Sequence, residues 1–277
     1  MARKIGFIGV GNMANAIIGG ITATGRVSFE DLVLYDCLPE KCEAWAEQGA
    51  CVVDSEAAVA QASDLIVLAI KPQGFPTLLE TLSKVDGIDK KLIVTIAAGI
   101  TVDRISTALH GASVVRVLPN TPMLIGMGVS VICRSETVVG ADFDFVVSMF
   151  EASGRVVLID ESEMNRIISV TSSSPAYVFA FIKAICDGAS AQGLTGEEIL
   201  PAVCDMVIGA ATLMKQGNKS PEEQIAVVTS KGGDHRESHG RAERTGSLWH
   251  DRGSHARLHP PSGGAQRKMK RLFSHRM

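Results

Sequence analysis

Short apolar runs alternate with glycine turns and helical patterns over the first 160 residues. The predicted strands cover residues 4–8, 32–35, 65–70, 92–96, 114–118, 129–133 and 156–159. An unbroken apolar run such as 65–70 is typical of a strand that helices cover on both faces. The repeated alternation predicts an α/β fold, with a doubly wound, Rossmann-type sheet and right-handed crossovers.

From residue 161 onward the pattern predicts helices only, over 175–192, 197–216 and 221–228. Pro175 falls in the first turn of the first helix and Gly193 follows its end, as is typical of helix boundaries. Apolar residues nearly encircle that helix: Ala176, Val178, Phe179, Phe181, Ile182, Ala184 and Ile185. Because about 70 residues of helix cannot bury so much apolar surface alone, we expect a homodimer or higher homo-oligomer.

The last part of the chain has a different composition. Residues 234–277 contain ten Lys or Arg, four Asp or Glu and six of the seven histidines, whereas residues 1–233 contain 17 basic and 26 acidic residues. Since the last part also lacks apolar periodicity, we expect it to be disordered. The predicted domains are therefore a Rossmann-type α/β domain over 1–160, a helical domain over 161–233, and a tail over 234–277.

The localisation is predicted from segments and cysteine patterns that the sequence lacks. The chain has neither a signal-peptide core at its start nor an uninterrupted apolar stretch of about 18 residues. Its six cysteines form no C-x-x-C pair, which favours reduced thiols that serve as packing residues. We expect a soluble, cytoplasmic protein without a membrane, nucleic-acid or metal partner.

The turn between the first strand and the first helix carries the pattern of a dinucleotide-binding loop. Gly9 permits a tight turn, Gly11 lets the backbone approach a pyrophosphate, and Ala14 keeps helix and strand close. The start of the helix offers N–H groups and a positive dipole end to phosphate. The cofactor contacts predicted in this loop are Ile8, Gly9, Gly11, Asn12, Met13 and Ala14.

Asp36 ends the second strand, where an acidic residue accepts hydrogen bonds from the adenosine ribose and repels a 2′-phosphate. This position favours NADH. Lys41 is the nearest cation, however, so the choice between NADH and NADPH stays open. An ordinary solvated acid at the end of a strand is the alternative interpretation.

Further cofactor contacts are predicted at the ends of three later strands, because ligands bind at the carboxyl edge of such sheets. Lys71 can face the cofactor phosphates or ribose, small residues can let a nicotinamide ring approach, and Asn120 can offer a donor and an acceptor beside that ring. These predicted contacts are Ala69, Ile70, Lys71, Pro72, Ala97, Ala98, Gly99 and Asn120.

Taken together, the motifs resemble the pyrroline-5-carboxylate reductase family in order and spacing across residues 1–233. They are Gly6-Phe-Ile-Gly-Val-Gly-Asn-Met-Ala14, Ala69-Ile-Lys-Pro72, Ala97-Ala-Gly99, Arg116-Val-Leu-Pro-Asn-Thr-Pro122, Ser153-Gly154, Glu161 and Ser172-Ser-Ser-Pro-Ala-Tyr177. The resemblance implies a Rossmann domain followed by a helical domain that interlocks two subunits. It also implies hydride transfer from NADPH or NADH to the C=N carbon of 1-pyrroline-5-carboxylate, which gives proline.

The resemblance further implies where the imino-acid substrate binds. The substrate contacts that it assigns are Glu161, Ser172, Ser173, Ser174, Gly232 and Gly233. No residue is assigned to acid–base catalysis, because a protonated imine mainly needs to be oriented toward the hydride donor.

The resemblance has departures. Thr171-Ser172 replaces the Ser-Gly that usually begins the first carboxylate motif, and Asp234 and His235 replace two threonines of a Gly-Gly-Thr-Thr turn. One extra G in the codons for Gly232-Gly233 explains the second departure, because the neighbouring reading frame can then encode a family-like ending. We therefore hypothesise that residues 234–277 are out of frame.

Four alternatives remain from the sequence. The tail histidines His235, His239, His255 and His259 have the i, i+4 spacing of helical metal ligands, and the basic tail has the charge to bind a polyanion. The chain could also bind the cofactor without catalysis. A β-hydroxyacid dehydrogenase shares the Gly-Phe-Ile-Gly opening, but the helix that should carry its catalytic lysine has serines at 172–174 instead.

Overall fold

The structure is a computed structural model, and it describes residues 3–229. Within that range eight strands form one sheet in the order β3-β2-β1-β4-β5-β6-β7-β8. The strands are β1 (Ile5–Ile8), β2 (Leu32–Tyr35), β3 (Cys51–Val52), β4 (Leu65–Leu68), β5 (Leu92–Thr95), β6 (Ser113–Leu118), β7 (Gly128–Arg134) and β8 (Gly154–Leu158). The first six run parallel, in the order typical of a dinucleotide-binding Rossmann sheet.

Ten α-helices accompany the sheet in the described part of the chain. They are α1 (Asn12–Ala23), α2 (Glu43–Ala46), α3 (Glu56–Ala62), α4 (Phe75–Leu82), α5 (Val102–Ala108), α6 (Gly140–Glu151), α7 (Glu161–Ile167), α8 (Ser174–Ala191), α9 (Ile199–Gln216) and α10 (Pro221–Val228). The predicted α/β class and the helical region after the sheet are confirmed.

The sheet is covered on both faces, as the apolar strands predict. On one face, Ile17 of α1 and Phe150 of α6 pack over Phe7 and Val67. On the other face, helices α3, α4, α5 and α7 cover a second layer of strand side chains that includes Ile66. Strand residues alternate between the two layers, since successive side chains point to opposite faces. The sheet is therefore buried on both faces.

β7 departs from the repeated strand–helix pattern that the sequence indicates. It runs antiparallel to β6, and the connection between the two strands is short, covering residues 119–127 with a 3-10 turn at Thr121–Ile125. A parallel partner needs a crossover of a dozen or more residues, so this short connection requires the antiparallel direction. β3 was not predicted either, because a strand of two residues carries no detectable alternation.

A π-helical turn, Ile168–Ser172, lies between α7 and α8. The sequence does not predict it, because a π-helical turn differs from an α-helix in its hydrogen bonding and not in its apolar pattern. We call this segment the π-turn. Its defining bond joins the Ser173 N–H to the Ile168 carbonyl at 2.9 Å.

The chain divides into two compact units, of which the first runs to Val178 and the second begins at Phe179. The predicted division at residues 160 and 161 stays a prediction. The predicted disorder of residues 234–277 concerns a segment outside the described residues.

The second unit is helical and leaves apolar side chains exposed. Val203 is the only buried residue of α9, and no residue of α10 is buried. Two stretches of the described chain, Glu161–Ala191 and Ile199–Gln216, are long and apolar enough to cross a membrane by length and composition alone. Helices of soluble proteins pass the same test, so the apolar surface alone does not say what covers it.

Candidate active site at the carboxyl edge of the sheet

The glycine turn after β1 packs against the end of β4. Gly9 has φ +94°, and its N–H donates to the Tyr35 carbonyl at 2.8 Å. A Cβ at Gly9 would lie 2.7 Å from the Ala69 carbonyl oxygen. Only glycine fits this backbone conformation and this contact, so the sequence interpretation of Gly9 agrees with its geometry.

The start of α1 is open to a ligand. Gly11 is the N-cap of α1, no side chain caps the helix, and a Cβ at Gly11 would meet nothing within 4 Å. Ala14 is buried against the sheet, while Asn12 and Met13 lie in the first turn of the helix. The uncapped N–H groups and the free space beside Gly11 suit a pyrophosphate.

Asp36 is tied to the glycine turn and is not an ordinary solvated acid. Its Oδ2 accepts from the Val10 N–H at 2.8 Å, and its Oδ1 accepts from the Leu38 N–H at 3.0 Å and the Lys41 ammonium at 3.1 Å. Burial alone would raise the pKa of Asp36, but these three donors outweigh it and lower the pKa below its ordinary value. The carboxylate therefore stays ionised beside the cofactor loop.

The end of β4 presents a lysine without a partner. Among residues 3–229, the ammonium group of the exposed Lys71 forms no hydrogen bond or ion pair, and the residue precedes the 3-10 turn Pro72–Gly74. Its neighbours Ala69 and Ile70 are half-buried. Since β4 lies next to β1 in the sheet, Lys71 and the glycine turn share one edge.

The end of β5 is built from small residues. Ala97 is buried, whereas Ala98 and Gly99 are exposed, and Gly99 has φ +77° with open space where a Cβ would be. The predicted cofactor residues after β1, β4 and β5 thus all lie at the carboxyl edge of three adjacent strands.

Asn120, at the end of β6, is 8% exposed, and both ends of its amide are in use. Its Oδ1 accepts from the Val129 N–H at 2.8 Å, and its Nδ2 donates to the Thr171 carbonyl at 3.1 Å. The predicted contact of Asn120 with the nicotinamide is not tested. The amide group of Asn120, which would make that contact, already binds two backbone groups.

Glu161, at the start of α7, also has partners within the chain. Its Oε1 accepts from the Val102 N–H at 2.7 Å and from the Arg116 guanidinium at 3.2 Å. Arg116 is 1% exposed and also donates to Asn165 at 2.9 Å. The three elements α5, β6 and α7 are therefore fixed together around one carboxylate.

Ser172, Ser173 and Ser174 span the end of the π-turn and the start of α8. The Ser174 hydroxyl donates to the Ser169 carbonyl at 2.7 Å. The Ser172 hydroxyl is buried without a hydrogen-bond partner in the described structure. Gly232 and Gly233 lie outside the described residues, as do the tail histidines.

Comparison with known proteins finds two matching family models and close relatives over most of the chain. The model of pyrroline-5-carboxylate reductase dimerisation matches residues 161–247, and that of NADP oxidoreductase, coenzyme F420-dependent, matches residues 4–99. The Escherichia coli pyrroline-5-carboxylate reductase is 35% identical over 237 residues, which are 84% of this chain and 87% of that protein. The chain belongs to the pyrroline-5-carboxylate reductase family.

Solved pyrroline-5-carboxylate reductases share the fold of this chain. The Streptococcus pyogenes 1-pyrroline-5-carboxylate reductase has 28% identity and a TM-score of 0.80, over 88% of this chain and 92% of that one. The Plasmodium falciparum pyrroline carboxylate reductase, solved with NADP bound, has 24% identity and the same TM-score, over 88% and 90% of the two chains.

The predictions of an oxidoreductase and of a nicotinamide dinucleotide cofactor are confirmed by this membership. The preference between NADH and NADPH, and each predicted contact residue, stay predictions.

Sequence reasoning missed the backbone partners that organise the reductase site. The Val10 N–H, the Thr171 carbonyl and the Val102 N–H bind Asp36, Asn120 and Glu161, respectively. Backbone groups leave no mark in residue identity, so no signal in the sequence could have shown these pairs. Arg116 was noted only as part of a motif. Its charge within an otherwise apolar strand was the available signal for its buried partners.

Proposed function

We propose that this chain reduces 1-pyrroline-5-carboxylate to L-proline with a hydride from NADPH or NADH, as the last step of proline formation. The relationship to pyrroline-5-carboxylate reductases over 84% of the chain carries this proposal, because it spans the cofactor edge and the serine-containing segment together. The bound dinucleotide supplies the hydride, and the protein supplies binding and orientation.

Different residues at the carboxyl edge bind different parts of the cofactor. The start of α1 receives the pyrophosphate, while Asp36 and Lys41 face the adenosine ribose. Lys71 gives a free positive charge on the same edge. Ala97, Ala98 and Gly99 leave room for the nicotinamide ring, because they place little side-chain bulk there.

The π-turn and the start of α8 receive the substrate carboxylate. The Ser172–Ser174 segment offers hydroxyls and backbone N–H groups, and the unpartnered Ser172 hydroxyl is the most direct support. Leaving such a group buried and unpaired costs about 1–3 kcal/mol, which a ligand oxygen would recover. Glu161 serves through its bonds to Val102 and Arg116, which fix α7 and the π-turn that follows it.

We also propose that a second copy of the chain covers the exposed apolar faces of α8 and α9 in a homodimer or higher homo-oligomer. These helices fall within residues 161–247, which match the dimerisation model of the family. The same match favours a subunit interface over a membrane for the two apolar stretches. We expect a soluble, cytoplasmic protein.

The test measures NADPH and NADH oxidation that depends on added 1-pyrroline-5-carboxylate, with proline identified as the product. Two chains are compared: the sequence as it stands, and one with a single G removed from the Gly232-Gly233 codons. We expect turnover by the second chain, and faster turnover than by the first, because the family ending is restored. A folded, dimeric second chain without turnover on this substrate would refute the proposed reaction. Equal turnover by both chains would refute the reading-frame hypothesis instead.

A further inference from the structure

Asn120 links two segments that are distant in sequence. Its amide joins Val129, in β7, to Thr171, in the π-turn, through hydrogen bonds of 2.8 Å and 3.1 Å. Both partners are backbone groups, and the side chain is almost fully buried. The two bonds therefore hold the π-turn against the sheet at the end of β6.

The chemistry of the partners fixes the orientation of the amide. A backbone N–H only donates and a carbonyl only accepts, so Oδ1 must face Val129 and Nδ2 must face Thr171. Each end of the amide thereby has one backbone partner and keeps one further N–H or lone pair, but the side chain is only 8% exposed. Asn120 is better placed to hold the backbone than to touch the cofactor.

The π-turn that Asn120 holds carries the serines proposed to bind the substrate. The turn is closed by the bond from the Ser173 N–H to Ile168, and Ser174 donates back to Ser169. The Thr171 carbonyl, which binds Asn120, directly precedes the buried, unpartnered hydroxyl of Ser172. A shift of the Thr171 peptide unit would move that hydroxyl with it.

We infer that Asn120 is a positioning residue for substrate binding, which sets the place of the 172–174 segment by fixing the Thr171 carbonyl to β7. The inference rests on the proposed function only for the identity of the ligand. It differs from the sequence prediction, which placed Asn120 beside the nicotinamide ring.

The test uses Asn120→Asp, which keeps the shape of the side chain and replaces the donor to Thr171. At pH 8 the variant carboxylate faces the Thr171 carbonyl and repels it, whereas a protonated carboxyl group can donate to that carbonyl again. We expect the KM for 1-pyrroline-5-carboxylate to rise about tenfold or more at pH 8, the effect of losing one buried hydrogen bond. The ratio of this KM to that of the parent should fall as the pH decreases.

Two further variants and the affinity for NADPH distinguish a positioning role from a cofactor contact. Asn120→Ala should show the raised KM without recovery at low pH, and Asn218→Asp, which adds the same charge at an exposed position, should behave like the parent. The Kd for NADPH, followed by fluorescence, should stay within about twofold of the parent in all variants, since a positioning role leaves the cofactor edge intact. A loss of NADPH affinity as large as the rise in KM would overturn the inference in favour of a cofactor contact.

Hydrogen–deuterium exchange gives a readout that does not need turnover. Peptides that contain Val129 and residues 168–174 should exchange faster in Asn120→Ala, while peptides of the glycine turn should not change. Unchanged exchange in both segments would refute the inference even if the KM rises. If Asn120→Ala does not fold, Asn120→Ser replaces it. The parent of these variants is the chain with the restored family ending; if that folded chain has no turnover, the proposed function fails, and exchange alone decides the positioning role.

Discussion

The carboxyl edge of the sheet and the helices of the second unit differ in how their side chains are accommodated within the chain. At the edge, Asp36, Asn120 and Glu161 find hydrogen-bond partners within the same chain. In the helices, Phe179 of α8 is 62% exposed and Leu213 of α9 is 63% exposed. The first region finds these partners within the chain, whereas the second leaves apolar surface exposed among the described residues.

This difference suggests that cofactor binding and subunit association depend on separate parts of the chain. A cofactor site held by bonds within one chain needs no partner to take its shape. Burying a single Phe or Leu side chain contributes about 1.5–3 kcal/mol, so the exposed helical residues offer a strong drive for association. We therefore expect cofactor binding to survive changes that abolish association, and the following experiments can break or sharpen this comparison.

The largest expected effect is the loss of NADPH affinity when the glycine turn at the carboxyl edge is changed. Gly9→Val should lower NADPH affinity at least about a hundredfold, because a side chain here meets the Ala69 carbonyl and requires a disfavoured backbone conformation. Isothermal titration measures the affinity. Gly25→Val is the matched control, since Gly25 also has positive φ, +66°, but has open space around it. Normal affinity in Gly9→Val would contradict the placement of the cofactor loop.

The next effect tests the helices. Phe179→Asp should weaken self-association about tenfold to a hundredfold, because a charge in an apolar interface loses the burial energy and adds desolvation. Sedimentation velocity over a range of concentrations measures it. Ser190→Asp, at an exposed polar position of the same helix, should associate like the parent. If the variant also loses NADPH binding, the two regions are not independent.

A smaller effect concerns the stability of the cofactor loop. Asp36→Asn should lower the free energy of unfolding at pH 7 by about 1.5–3 kcal/mol, since the carboxylate accepts charge-assisted bonds from Val10, Leu38 and Lys41. The pKa of Asp36 is lowered in the folded state, so its contribution is present above the unfolded pKa of about 3.9 and is lost as the pH falls through the folded pKa.

Urea denaturation of parent and variant over a pH series measures this contribution. The difference in the free energy of unfolding between parent and variant should be constant near neutrality and should decrease only below about pH 4. Asp89→Asn, an exposed aspartate in a surface turn, is the control and should cost little at any pH. A difference that narrows already above about pH 5 would mean that the carboxylate is not held as the structure shows.

The smallest effect is on cofactor preference. Lys41 is half-exposed, and its ion pair with Asp36 should contribute at most about 1 kcal/mol to stability. Lys41→Ala leaves the charge of Asp36 without compensation, so it should weaken NADPH binding a few-fold relative to NADH. Comparing the two Kd values measures this shift, with Lys84→Ala as the control. An unchanged ratio would place the 2′-phosphate away from Lys41.

The sequence predicts the sheet well, because apolar runs and glycine turns are local signals. The bounds of β2 and α10 agree with the prediction, and the other strands and helices with predicted bounds differ by one or two residues at an end. The direction of β7 and the existence of β3 could not be predicted, since both depend on pairing with distant strands.

The site could be predicted only as a set of residues. Asn120 and Glu161 were identified from motifs, yet their bonds to Thr171 and Val102 depend on how distant segments meet. The π-turn is likewise invisible in the sequence, because Ile168–Ser172 has the composition of an ordinary helix. Motifs therefore located the edge, but the structure was needed to separate side chains free for ligands from those that hold the backbone.

The most direct test of the account follows the hydride itself. The chain with the restored family ending is incubated with 1-pyrroline-5-carboxylate and NADPH that carries deuterium at the transferred position, and the product is analysed by mass spectrometry. We expect proline that carries one deuterium at the former imine carbon. Proline without deuterium, or no proline from a folded protein that binds NADPH, would contradict the proposal that this edge of the sheet delivers a hydride to a cyclic imine.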